Sequence, residues 1–122
     1  MMTIQDLTQA IVASLDKHKA QDIRVLDVSE VTSLTDRFII ASGGSTTQVR
    51  ALIDYVETDL LKYEVRALRT EGYSTALWTV LDYGSIVLHV FLDSSREFYD
   101  LERLWQDARV LDIAQFLEGE DQ

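Results

Sequence analysis

Residues 71–105 read EGYSTALWTVLDYGSIVLHVFLDSSREFYDLERLW, and this stretch decides the fold. Two apolar runs, 76–81 and 85–91, flank Asp82-Tyr83-Gly84. Runs rich in Val, Leu and Ile with a glycine between them predict a β-hairpin. Tyrosine disfavours positive φ, so a type I turn with Gly84 left-handed suits the loop better than type I′. A two-residue turn places Trp78 opposite His89 and a bulged turn places Leu77 there; the sequence leaves the register open. A helix is predicted over 95–105. Ser94 is placed to cap it, with Glu97 completing a capping box. Phe98, Leu101, Leu104 and Trp105 fall on one side of it at helical spacing, as a helix covering the hairpin requires.

At the N-terminal end, Thr3 and Asp6 open a first helix in which Ile4, Leu7, Ile11 and Leu15 share a face, ending in the polar run 16–19. Strands are predicted at 23–28 and 37–42. Gly43-Gly44-Ser45 then leads into the best-marked helix, with Ser45 and Gln48 as a capping box and Val49, Leu52, Ile53, Val56 and Leu60 as its apolar stripe. A short strand is expected at 65–69. After Trp105, the apolar residues Val110, Leu111, Ile113, Ala114 and Leu117 suggest one or two helical turns before an acidic end. The order αββαβββα describes an α/β sandwich with a single mixed β-sheet of about five strands flanked by helices. Strand 86–91 is apolar at nearly every position, as a central strand covered on both faces would be. The domain is expected over 1–106, with 107–122 as a C-terminal tail, partly helical or disordered.

Composition narrows the function. The 122 residues carry 21 acidic against 11 basic side chains, a formal net charge of −10. That field repels phosphate backbones, so binding of DNA through general charge is disfavoured, whereas a basic protein would be drawn in. With no cysteine there is no disulfide, thiolate nucleophile or Cys-rich zinc site. No apolar run approaches membrane-spanning length, and the first residues lack the basic lead of a targeting signal. A cytoplasmic protein is expected.

No active site assembles from the candidate residues. Gly43-Gly44-Ser45-Thr46 entering a helix is a possible phosphate cradle, but it lacks the GK[ST] ending of a P-loop. Nucleotidyl transfer also needs clustered carboxylates to hold metal ions, and the expected strand after this helix carries Arg66 and Arg69 instead. Glu71, Asp82 and His89 match no zinc spacing and have no nucleophile beside them; a lone histidine in an apolar strand is more often a hydrogen-bonded core residue. Arg50, Lys62, Arg66 and Arg69 read as a solvated basic face. Trp78, Tyr83 and Tyr99 are suited to either core or contact, since buried cores and interface hot spots both favour aromatics. No cofactor or metal is expected, and the chain reads as a binding module rather than an enzyme, with a divergent nucleotide-binding enzyme as the alternative.

The run Glu71-Gly72, Trp78, Leu81-Asp82-Tyr83-Gly84, His89-Val90-Phe91, Arg96, Tyr99-Asp100-Leu101-Glu102, Leu104-Trp105 resembles the ribosomal silencing factors, the Iojap or RsfS family. The resemblance covers roughly residues 3–106. One departure is Ser85, where the family usually has Asp after the turn glycine. The resemblance implies a nucleotidyltransferase-like fold. It also implies a translational repressor that binds a basic protein on the joining face of the large ribosomal subunit and blocks the small one. Trp78, Asp82 and Tyr83 are the expected contact residues, supported by Glu71, His89, Arg96 and Tyr99. A monomer or weak homodimer is expected.

Overall fold

A computed structural model describes residues 2–117. Its elements are α1 (Ile4–Lys17), β1 (Gln21–Asp27), β2 (Arg37–Gly43), α2 (Thr46–Leu61), β3 (Arg69–Glu71), β4 (Trp78–Asp82), β5 (Ile86–Leu92), α3 (Asp93–Tyr99), α4 (Leu101–Leu104), β6 (Arg109–Leu111) and α5 (Ala114–Leu117). The strands form one sheet in the order β3-β4-β5-β2-β1-β6, and only the β2–β5 pair is parallel. The expected mixed sheet is thus present, with β5 near its centre.

The two long helices form where their local signals lie. Thr3 Oγ1 accepts from the Asp6 amide at 3.0 Å and an Asp6 carboxylate oxygen accepts from the Thr3 amide at 3.1 Å, closing the capping box of α1. At α2 the Ser45 hydroxyl accepts from the Gln48 amide, but the Gln48 side chain reaches one residue further back, to the Gly44 amide at 2.6 Å. The α2 stripe Val49, Leu52, Ile53, Val56 and Leu60 is buried throughout, against Leu7, Ile11 and Leu15 of α1 and one face of the sheet.

The hairpin adopts neither expected register. The Tyr83 amide donates to the Ile86 carbonyl at 2.9 Å, so Gly84 and Ser85 form the turn, one residue later than the expected two-residue loop. Gly84 is indeed left-handed, at φ +86°. It takes the first central position, where a glycine-first hairpin turn needs positive φ. Val80 consequently faces His89, and Trp78 faces Phe91.

The segment after β5 also differs. Its helix begins at Asp93 directly from the strand, with Leu92 at the cap position and no side-chain cap. Asp93 Oδ1 accepts from the Ser94 amide, so Ser94 is inside the helix and builds no capping box. Asp100 is left-handed at φ 48° and breaks the expected single helix into α3 and α4. Leu101 alone of the predicted stripe is buried; Trp105 is half-buried, while Phe98 and Leu104 point outward.

The expected strand at 65–69 is displaced to β3, while Val65 and Ala67 line the edge of the core. Beyond Trp105, Val110 and Leu111 are in β6, antiparallel to β1, rather than helical; α5 supplies the expected turn and buries Phe116 beside α1. No helix among the described residues is long and apolar enough to cross a membrane.

Candidate functional site

Strand alternation sorts the side chains between two faces. Leu81, Leu88, Val90, Ile39 and Val25 point toward α1 and α2. Trp78, His89, Phe91, Phe38 and Ile40 point the other way, where among the described residues α3, α4 and the turn after them cover the sheet, with Val28 at its side. This second face is the candidate site.

Its centre is aromatic. The Trp78 ring stacks on Phe91 with centroids 5.0 Å apart and meets Tyr99 at 5.1 Å. Trp105 stands edge-on to Phe38 at 5.0 Å. The Trp78 indole N–H donates to His89 Nδ1 at 3.0 Å. This bond assigns the His89 proton to Nε2, a buried nitrogen with no hydrogen-bond partner among the described residues. The histidine is therefore an orienting core residue, as its place in an apolar strand suggested.

Burial holds the His89 imidazole down to about 4, from an ordinary value of 6.5. Between those two values the unfolded chain takes up a proton that the folded chain refuses, so stability is fully present above pH 6.5 and falls with pH toward 4. Denaturant titrations are expected to show His89 alone removing about 2 kcal/mol between pH 6.5 and 5. His89→Gln, which retains an acceptor for Trp78, should flatten that slope; equal slopes in both proteins would contradict the assignment.

At its outer margin the face is exposed. Phe98 is 82% and Leu104 76% exposed, and Phe98 stands edge-on to the half-exposed Tyr99. Beside them lies a shallow groove lined by Asp22, Asp93, Glu97, Asp100 and Glu102. Arg96 sits within it but turns inward. Its guanidinium forms two bonds to the Glu102 carboxylate, at 3.0 and 3.3 Å, and also donates to the Asp22 carbonyl and the Ser42 hydroxyl. Arg96 locks α3 to α4, β1 and β2, which leaves little of it for a partner.

Of the seven residues singled out from sequence, Trp78, His89 and Tyr99 meet in one cluster. Glu71 and Asp82 lie on the same face toward its β3 edge, where Arg69 contacts both, at 3.6 and 3.1 Å. Asp82 also accepts from the Gly84 amide at 2.8 Å, fixing the turn. Tyr83 is on the opposite side. Its ring packs against the core in a cleft with Glu57, Leu61 and Val65, and burial pushes its phenol up, with the Glu57 charge adding to the effect. A residue adjacent to Asp82 in a strand must face the other way. Phe98 and Leu104 carry much of the exposed apolar surface and were hidden in the sequence by a spacing that reads as core.

The possible phosphate cradle is already occupied by the protein itself. The Gly44 amide is bonded to Gln48, and a Cβ on Gly43 would stand 3.1 Å from Val49. Glycine there permits tight helix–strand packing. Among the described residues no group of three or more His, Asp or Glu is placed to hold a metal ion.

Fold and face together define a mixed-sheet α/β domain with one helix-covered side and one partly open aromatic side. The family described as "Ribosomal silencing factor during starvation" matches residues 1–122. A ribosomal silencing factor of Chromobacterium violaceum is 38% identical over 104 residues, 85% of each chain. One from Bacillus subtilis is 31% identical over 112 residues, covering 92% of this chain and 95% of that one. A crystal structure of a Chromobacterium violaceum protein superposes with a TM-score of 0.83 at 38% identity, covering 86% of this chain and 88% of that one. The chain belongs to the ribosomal silencing factor family, RsfS.

Proposed function

We propose that this protein represses translation by docking its open aromatic face on a basic protein at the joining surface of the large ribosomal subunit. Occupying that surface excludes the small subunit, and no chemical step is needed. The observation that carries the reading is the exposed Phe98 set edge-on to Tyr99, which in turn packs on Trp78, with Leu104 exposed on the following helix and a carboxylate-lined groove at Glu97 and Asp100. An apolar aromatic centre with a charged rim is the anatomy of a protein-binding surface. The acidic rim and the net charge of −10 select a basic partner and speed the encounter. Family membership supports the ribosome as the place of action.

The test is co-sedimentation with separated ribosomal subunits, together with a subunit-joining assay. Wild type is expected to pellet with large subunits and keep them from joining small ones. Phe98→Glu with Leu104→Glu should weaken that binding by at least about tenfold. Because both side chains are exposed, stability should change by less than about 1 kcal/mol. Wild type remaining in the supernatant at micromolar subunit concentrations, or a variant that binds undiminished, would overturn the reading.

A further inference from the structure

The loop joining β3 to β4 is fastened to α2 from the far side of the sheet. Arg50 Nε donates to the Tyr73 carbonyl at 3.1 Å and Nη2 to the Ser74 carbonyl at 2.5 Å. One helical turn on, both Asp54 carboxylate oxygens accept from the Tyr73 hydroxyl, at 3.1 and 3.0 Å. Arg50 is thus not the freely solvated charge that its sequence context suggests.

What this clamp holds is strained. The Ala76 amide donates to the Gly72 carbonyl at 3.0 Å, closing the loop, and both residues are left-handed, at φ +58° and +77°. Ala76 is fully buried. A non-glycine residue persists in that conformation only where its surroundings over-determine it. Gly72 also lies against the backbone of Trp78: a Cβ there would collide with the Trp78 carbonyl oxygen, and the Thr79 hydroxyl donates to the Gly72 carbonyl at 3.3 Å. Movement of the loop therefore moves the first residues of β4.

We propose that Arg50, seconded by Asp54, is a positioning residue for the docking face: it acts through the strained 72–77 loop to set the place of Trp78. The proposal rests on the reading of that face as the docking surface. It makes α2, which never reaches the open side, part of the recognition apparatus. Two hydrogen bonds to carbonyls need the fixed fork of a guanidinium, so lysine would fill only part of the role.

The Trp78 and Trp105 indole N–H signals in a nitrogen–proton spectrum test this without any partner, Trp78→Phe serving to assign them. In Arg50→Ala the Trp78 indole is expected to exchange with solvent about tenfold faster, with Trp105 unmoved. Affinity for large subunits should fall by about tenfold, and Arg50→Lys should recover part of both losses. A role in general stability would move the two indoles alike. An unmoved Trp78 signal in Arg50→Ala, or an equal response of both tryptophans, overturns the proposal. If wild type itself fails to bind large subunits, the docking reading falls, while the indole exchange still decides whether Arg50 sets Trp78.

Discussion

Phe116→Ala is expected to lower the free energy of unfolding by about 3–5 kcal/mol, the range for emptying a fully buried aromatic site. Phe116 has no exposed surface, and it lies in the main core with Leu111 and Ile113 beside α1. The Arg37 guanidinium stands 5.7 Å from the ring centroid while donating to the Thr8 hydroxyl at 2.9 Å, so the ring joins β2, α1 and α5. A loss of that size is a large share of a small domain's stability and should lower the melting temperature by more than about 10 °C. Denaturant melts of the two proteins give the comparison. A loss below about 1 kcal/mol would show that the segment from β6 onward lies outside the cooperative core.

Gly72→Ala should cost about 2–4 kcal/mol, from the left-handed backbone together with the collision of its Cβ with the Trp78 carbonyl. Gly84→Ala separates these two causes. Gly84 is also left-handed, at φ +86°, but a Cβ there meets only the end of Leu68 at an ordinary 3.5 Å. That variant should lose about 1 kcal/mol, the conformational cost alone. The excess at Gly72 measures how tightly the loop is pressed on β4. Equal losses in the two variants would mean that the backbone around Trp78 yields easily, and the loop would then be a poor device for fixing a side chain.

What was legible in the sequence follows the range of the interactions. The caps and apolar stripes of α1 and α2 are local, with partners three or four residues apart, and both helices stand where Thr3 and Ser45 place them. The break at Asp100 was obscured because aspartate tolerates the left-handed conformation without announcing it as glycine does. β6 is set by pairing Val110 with Leu26, a distant partner, and three residues are too few for alternation to show. At the candidate site, Trp78, His89 and Tyr99 were identifiable from residue type. Tyr83 was not placed correctly, because which face a residue takes depends on a register that the turn alone did not fix. The outward Phe98 and Leu104 mimic a core stripe, and only the unwinding at Asp100 separates them from one.

Both margins of the sheet end in strands of three residues, β3 and β6. Each carries arginine, and β3 glutamate as well. A foreign strand seeking to extend the sheet would find too short a row of amides and a charged border, the usual defence against edge-to-edge aggregation. Growth of the sheet through its backbone is therefore disfavoured even though an apolar surface is on display. What the open side offers to any other molecule is then the shape and charge of side chains, not a row of backbone amides.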